Sequence, residues 1–93
     1  MTGGRAFHGD RVVVFVVPGS GSVAVVAGRR VGGAVQRNRA RRVLRAAWRE
    51  LSPRVREDLD VALVARGAIR GAGTRDLVAE IEGLLERAQV VDR

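Results

Sequence analysis

The hydrophobic positions of this chain fall into short runs typical of strands and two stretches with helical spacing. Apolar, largely β-branched residues occupy residues 11–17 and 22–28, which predicts two strands. The turn-forming residues 18–21 between them predict a loop or hairpin turn, so we expect these strands to run antiparallel. A third run, residues 60–65, is continuously apolar after its first residue and predicts a strand buried on both faces.

Two later segments repeat apolar residues every three or four positions, as amphipathic helices do. The first spans residues 34–51, after a Gly-Gly pair and before Pro53, which stops a helix. The second begins at Thr74, the expected N-cap residue, with Asp76 in its first turn. The predicted core faces are Val43, Leu44, Ala47, Trp48 and Leu51 in the first helix and Leu77, Val78, Ile81, Leu84, Leu85 and Ala88 in the second.

The order β-β-α-β-α predicts an α+β fold, a two-layer α-β sandwich with a mixed sheet and one domain over residues 1–93. The Gly-rich residues 1–10 are expected to be flexible. The longest apolar run, residues 12–17, is far too short to cross a bilayer, and the N-terminus lacks the apolar segment of a signal peptide. We therefore expect a cytoplasmic protein without a membrane partner.

The residue types present exclude several kinds of site. Cysteine is absent, which excludes disulfides, thiolate metal sites and cysteine nucleophiles. The one histidine, His8, stands near glycines and is interpreted as an exposed loop residue. The acids Glu80, Glu82 and Glu86 lie on the second helix and are interpreted as solvated surface. We therefore predict no catalytic residue, no metal ligand and no small-molecule substrate.

The net charge of +7 is concentrated in one segment. Residues 29–56 hold ten arginines and one acid, Glu50, which gives that segment a charge of +9 and the remainder −2. Arginine matches phosphate geometry and stacks on bases, and such asymmetry is typical of polyanion-binding proteins. A solvated helix face is the alternative, but such faces usually mix signs, whereas the row Arg37, Arg41, Arg45 and Arg49 is all positive.

The densest motif, residues 29–42, reads RRVGGAVQRNRARR. Its glycines allow a sharp strand-to-helix turn, and its Arg-Asn-Arg lies in the first helical turns, where backbone N–H groups favour phosphate. The motif resembles the protein component of bacterial ribonuclease P, whose pattern is two basic residues, an apolar residue, Gly-Asn-Ala-Val, a variable residue, Arg-Asn-Arg and more basic residues. The strand ending in Ala65-Arg66 and the C-terminal helix also match, so the resemblance covers about residues 11–90.

The resemblance implies an RNA-binding subunit without a catalytic site of its own. In that family the partner RNA performs the magnesium-dependent endonucleolytic removal of the 5′ leader from precursor tRNA. The implied partners are the catalytic RNA of ribonuclease P and precursor tRNA; the implied cofactor is magnesium, required by the RNA and not bound by the protein itself. The family fold also implies a left-handed β-α-β crossover, against the usual right-handed rule.

The resemblance also assigns sites to residues of this chain. Phe15 falls where the family presents an aromatic toward a leader-binding cleft on the sheet, and Val13 and Val17 share its face; a stacked base contributes about 1–3 kcal/mol. Core packing is the alternative for Phe15, and Trp48 matches an aromatic on the buried side of the helix. The residues that match the RNA-contacting motif and the two basic residues preceding it are Arg29, Arg30, Arg37, Asn38, Arg39, Arg41, Arg42 and Arg45.

Two departures from the family pattern bear on these expectations. The family begins with a basic segment and a helix carrying two phenylalanines; we interpret this chain as lacking that helix, through a misassigned start or a truncation. Gly33 replaces the family's asparagine, and Val26 and Gly28 stand where small hydroxyl residues are common. These three substitutions are expected to weaken side-chain contacts at the cleft.

Two other functions compete with this interpretation. A general RNA-binding or ribosome-associated module would also carry a basic helix, without a role in tRNA processing. A peripheral membrane protein would set arginines against anionic lipid, but it would need an insertion face rich in Trp, Phe or Leu. The apolar face of the basic helix is instead assigned to the core.

Overall fold

Four strands and two helices form the fold in the computed structural model, which describes residues 4–90. The strands are β1 (Arg5–His8), β2 (Val12–Pro18), β3 (Val23–Ala27) and β4 (Leu59–Ala65); the helices are α1 (Ala34–Leu51) and α2 (Thr74–Ala88). Short 3₁₀ turns lie at Arg29–Val31, Ser52–Arg54 and Gly67–Ile69. The predicted α+β class with a mixed sheet is confirmed. Neither helix in the described range is both long and apolar enough to cross a membrane.

The strand β1 corrects the predicted order, which becomes β-β-β-α-β-α. Residues 5–8 were expected to be flexible, yet they pair antiparallel with β2, from Arg5 opposite Val16 to His8 opposite Val13. The guanidinium of Arg5 donates to the carbonyl of Ala88 at 2.9 Å and lies over the Phe7 ring. Half-buried Phe7 packs against the core, which holds this short strand in place. The flexibility expected for residues 1–3 falls outside the described residues.

The sheet order is β1-β2-β4-β3, so β4 lies between the two strands expected to form a hairpin. β2 and β3 run in opposite directions, as expected, because β2 is antiparallel and β3 parallel to β4. The turn after β2 is hydrogen-bonded to the residue that precedes β4: the N–H of Gly19 donates to the carbonyl of Asp58 at 2.9 Å. β3, α1 and β4 thus form a β-α-β crossover between adjacent parallel strands, whose hand stays a prediction.

The helices cover one face of the sheet. In β4 the side chains of Leu59, Val61, Leu63 and Ala65 are buried, while those between them are half-buried. The prediction of burial on both faces of β4 is therefore wrong: Ala62 and Val64, the outer-face residues of the apolar run, are only half-buried. The helix side chains that complete the core are Ala40, Leu44, Ala47 and Leu51 of α1 and Leu77, Ile81, Leu84, Leu85 and Ala88 of α2.

Two details of α2 differ from prediction. Gly73, and not Thr74, is the N-cap residue, and the Asp76 carboxylate accepts its backbone N–H at 3.0 Å. Glu80 is not a solvated residue, because its carboxylate accepts the backbone N–H groups of Arg11 (2.8 Å) and Val12 (3.1 Å). These bonds join α2 to the start of β2.

Candidate RNA-binding site

The turn before α1 determines where its basic residues point. Gly32 has a φ of 136°, which L side chains rarely adopt, and a Cβ there would lie 3.1 Å from the Gln36 Cβ. Glycine is therefore required where the Arg29–Val31 turn changes direction into the helix. Buried Val31 anchors this turn to the core, and Arg29 and Arg30 project into solvent ahead of α1.

The solvent side of α1 carries a shallow groove of about 490 Å³. We call it the arginine surface and define it by its lining residues Val35, Asn38, Arg41, Arg42 and Arg45. The Arg41 guanidinium donates to the Asn38 side-chain oxygen at 2.6 Å, which orients both groups along one ridge. Because three guanidinium groups share this groove without a carboxylate among its lining residues, it is a strongly positive surface.

The remaining motif residues lie on other parts of the helix. Arg39 is turned to a different flank, where its guanidinium donates to the carbonyl of Ala72 at 3.1 Å. Arg37 is half-buried beside the start of the helix. The structure thus brings together Asn38, Arg41, Arg42 and Arg45, and separates Arg39 from them, because adjacent helix positions differ by about 100° in direction. Their assignment to RNA stays a prediction.

Acid partners divide the arginines of the +9 segment into two groups. Arg54 pairs with Glu82, and Arg56 pairs with Asp58 at 2.8 Å. The pKa of Asp58 is lowered, chiefly by the hydrogen bond from Arg56. The one acid of the segment, Glu50, pairs with Arg75 of α2. Within residues 4–90 no ion pair involves an arginine of the arginine surface, so the positive charge available to a partner is concentrated on the N-terminal two thirds of α1.

A second surface lies on the outer face of the sheet. A groove of about 500 Å³ is centred on Phe15, which lies opposite Ala62 of β4; Ala62 in turn lies opposite Ala24 of β3. These small neighbours leave Phe15 36% exposed, on the face of the sheet away from the helices. The full lining of this surface, which we call the sheet groove, is Phe15, Val17, Ser22, Val23, Ala24, Asp60, Val61 and Ala62.

The three residues predicted for a leader cleft are therefore not equivalent. Phe15 and Val17 line the sheet groove, and the structure favours the surface position of Phe15 over the core alternative. Val13 shares their face of β2 but is only 8% exposed and is not part of the lining. Trp48 packs partly buried against the core, as predicted for it.

Two residues near these surfaces were not assigned to a site from the sequence. Asp60 lies at one end of the sheet groove, where its carboxylate accepts the backbone N–H groups of Ser22 (2.9 Å) and Ser20 (3.0 Å). These bonds, with that of Ser22 first, lower the pKa of Asp60. Arg49 lines a smaller groove of about 280 Å³ beside Trp48 and Arg45. The sequence signal that could have indicated Asp60 is an acid opposite a Gly-Ser-Gly turn. The signal for Arg49 is its position as the fourth member of the arginine row.

The side chains of the described residues do not assemble a metal site. No group of three or more His, Asp or Glu side chains within residues 4–90 lies close enough to hold an ion. Several acids are instead engaged by arginine or by backbone N–H groups, as for Glu80 and Asp60. The chemistry these surfaces offer is recognition: guanidinium groups for an anion on α1, and an apolar groove with one aromatic ring on the sheet.

Comparisons with known proteins agree on one family. The sequence model of the family Ribonuclease P matches residues 1–89. The ribonuclease P protein component of Shouchella clausii is 30% identical over 92 residues, covering 95% of this chain and 75% of that protein. That of Symbiobacterium thermophilum is 44% identical over 71 residues, covering 76% of this chain but only 62% of that protein.

Solved structures match the fold. A Staphylococcus aureus RNase P protein mutant with defective mRNA degradation activity superposes with a TM-score of 0.79 at 21% identity, covering 94% of this chain and 76% of that one. The Thermotoga maritima RNase P protein, in complex with 1-(4-fluorophenyl)-2-thiourea, superposes with a TM-score of 0.77 at 19% identity, covering 90% and 85%. At these identities the likeness concerns the fold alone.

Proposed function

This chain belongs to the ribonuclease P protein family, and from that membership we propose that it is the protein subunit of a ribonucleoprotein that removes the 5′ leader of precursor tRNA. The catalytic RNA of ribonuclease P binds the arginine surface, and the single-stranded leader binds the sheet groove. The protein works in the cytoplasm and takes no small-molecule substrate.

The observation that carries this proposal is the set of arginines on α1 that have no acid partner among the described residues. Guanidinium groups bind phosphate oxygens through paired, charge-assisted hydrogen bonds. Arg42 and Arg45 are exposed, and Asn38 holds Arg41 beside them. Like charges at this spacing destabilise an isolated helix. A polyanion removes that repulsion and supplies the missing partners.

The sheet groove supports the second half of the proposal. Its lining is mainly apolar, and the exposed Phe15 ring offers a face on which an unpaired base stacks. A double helix would present phosphates to this surface, whereas a single strand presents its bases. Asp60 at one end of the groove repels phosphate, which favours a strand that turns its backbone away from β4.

No residue of the protein is proposed to take part in bond breaking. Magnesium is required by the catalytic RNA and is not bound by the protein itself in this proposal. The protein contributes by holding the leader at a fixed position and by neutralising phosphate charge on α1. Both effects lower the electrostatic cost of bringing two RNA molecules together, so less magnesium is needed.

Cleavage of precursor tRNA at low magnesium tests the proposal. The cognate catalytic RNA is assayed alone and with the protein, and again at high magnesium, where the RNA alone should be active. We expect the protein to raise the cleavage rate at low magnesium and to have a smaller effect at high magnesium. If the protein binds RNA but gives no increase over buffer, the chain is a general RNA-binding module instead.

A precursor with its leader removed provides the matched control substrate. If the sheet groove binds the leader, the complex of protein and catalytic RNA should bind precursor tRNA more tightly than mature tRNA. Equal affinity for the two, with cleavage still stimulated, would contradict the role of the sheet groove and leave only that of the arginine surface.

A further inference from the structure

A further groove lies on the flank of α1 that Arg39 faces. It encloses about 510 Å³ between the helix and the segment after β4. Arg39 and Arg70 stand on its two sides, from elements more than thirty positions apart in sequence. We call it the 39/70 groove, and its lining residues are Gln36, Arg39, Ala40, Ile69, Arg70 and Gly71.

The packing of two turns builds this groove. The Gly67–Ile69 turn lies against the Arg29–Val31 turn so closely that a Cβ at Gly67 would be 3.2 Å from the Arg30 carbonyl oxygen. Ile69 is only 2% exposed and anchors its turn in the core. Arg70 follows directly and is exposed, while the bond from Arg39 to the Ala72 carbonyl holds the other guanidinium at the same junction.

The charge of this groove has no internal counterpart. Among its lining residues are two guanidinium groups and one amide, and no carboxylate. The nearest acids along the chain are engaged elsewhere: Asp76 accepts the N–H of Gly73, and Glu50 pairs with Arg75. Within residues 4–90, neither Arg39 nor Arg70 forms an ion pair. Two cations held at one groove favour binding of an anion between them.

We propose that the 39/70 groove is a second binding site for the catalytic RNA, in which Arg70 joins Arg39, already assigned to the RNA-contacting motif, in binding the phosphate backbone. The inference rests on the proposed function and extends it from the arginine surface to the other flank of α1. The RNA then contacts the N-terminal half of the helix from two sides, and Arg70, from the second half of the chain, is one of its ligands.

The shape of the groove fits a sugar–phosphate backbone better than a stacked base. Its lining contains no aromatic ring, and Ala40 and Ile69 provide an apolar floor for a ribose. Gly71 has a φ of 83°, and a Cβ there would meet no atom within 4 Å, so the turn is open to a close backbone approach. A groove of this kind recognises RNA without reading its sequence.

The test compares Arg70→Ala with Arg87→Ala in binding of the catalytic RNA across a series of salt concentrations. Arg87 is also exposed and has no ion pair within the described range, but it lies at the far end of α2, so both variants lose one positive charge. We expect Arg70→Ala to weaken binding about tenfold and to reduce the salt slope by about 1. Arg87→Ala should change both much less.

Double variants show whether the two arginines act together. Residues that bind the same group are not additive, whereas distant ones are. The loss in Arg39→Ala/Arg70→Ala should therefore be smaller than the product of the single losses. In Arg42→Ala/Arg70→Ala the losses should multiply, because Arg42 lies in the other groove. Equal behaviour of Arg70→Ala and Arg87→Ala, or full additivity of the first pair, would overturn the proposed site.

Failure of this inference is distinguishable from failure of the proposed function. If the unaltered protein stimulates leader removal but Arg70→Ala matches Arg87→Ala, the 39/70 groove is not an RNA site and the proposed function stands. If the unaltered protein neither binds the catalytic RNA nor stimulates cleavage, both proposals are wrong. Melting temperatures of all variants exclude loss of folding as the cause.

Discussion

The arginine surface and the sheet groove are of similar size but differ in the forces they offer. The arginine surface presents three guanidinium groups on one helix face. The sheet groove presents an aromatic ring among small apolar residues, with one carboxylate at its end. The first attracts any polyanion over about the Debye length. The sheet groove stabilises a complex only when a base is in van der Waals contact with it.

This difference implies that the two surfaces make separate contributions to RNA binding, which measurements can distinguish. Binding to guanidinium groups releases counterions, so its strength falls steeply with salt. Stacking on a ring is much less sensitive to salt but depends on the exposed bases of a single strand. A variant at one surface should therefore change the salt slope, and a variant at the other should change the affinity for the leader at constant slope.

The largest effect is expected from Arg42→Ala/Arg45→Ala, which removes two charges from the arginine surface. Hydrogen bonds involving charged groups contribute about 1.5–3 kcal/mol each, so affinity for the catalytic RNA should fall about 100-fold or more at low salt. The slope of log affinity against log salt should fall by about 1 for each lost phosphate contact. Titration of labelled catalytic RNA at several salt concentrations measures both.

The chain offers a matched control for this variant. Arg54→Ala/Arg75→Ala also removes two positive charges, but from arginines that are paired with Glu82 and Glu50. Exposed ion pairs contribute about 0–1 kcal/mol each, so the control should remain folded. We expect it to bind RNA several times more tightly than Arg42→Ala/Arg45→Ala. Equal losses would mean that net charge, and not the arginine surface, determines binding.

The next effect concerns the sheet groove, where Phe15→Ala removes the exposed ring. If a leader base stacks there, the preference of the complex for precursor over mature tRNA should fall about tenfold, within the range of 1–3 kcal/mol per stacked base. The salt slope for the catalytic RNA should not change. Phe15→Leu serves as the control, since it keeps apolar bulk in the groove but cannot stack.

Both Phe15 variants should therefore lose leader preference, while only Phe15→Ala loses stability through reduced packing. If Phe15→Leu binds the leader as well as the unaltered protein, stacking is not the basis of recognition. If Phe15→Ala changes the salt slope as much as an arginine variant does, the two surfaces are not separate binding sites.

How far the fold follows from the sequence depends on whether a signal is local. The bounds of α1 follow from glycine before it and Pro53 after it, which are local signals. The strand β1 has only one large apolar residue, Phe7, and its stability comes from contacts with β2 and α2. The periodicity of the sequence also does not predict that β4 lies between β2 and β3. The alternation of apolar and polar residues shows which face of a strand is buried, but not which strand lies next to it.

The candidate site follows the same rule. The arginines of the motif are adjacent in sequence, so their density was visible, but helix geometry divides Arg39 from Arg41 and Arg42. Arg70 joins Arg39 only through the packing of two turns, which no local pattern encodes. Whether an arginine has an acid partner is equally non-local: Arg54 finds Glu82 across 28 positions.

The smallest expected effect is that of Asp60, the one carboxylate of the sheet groove, on stability as the pH falls. Backbone N–H groups of Ser22 and Ser20 lower its pKa below the usual 3.8, so folding favours the charged form. A carboxyl group with a lowered pKa in the folded state adds stability at higher pH and loses it as the pH falls through that pKa.

Asp60→Asn keeps the shape but has no charge to lose, so it should be less stable than the unaltered protein near neutral pH. Denaturant titrations between about pH 6 and about pH 2 should show this difference shrinking toward acid, because the remaining carboxyl groups titrate alike in both proteins. A difference independent of pH would mean that the turn depends on the size of the Asp60 side chain, and that this end of the sheet groove carries no charge that matters to folding.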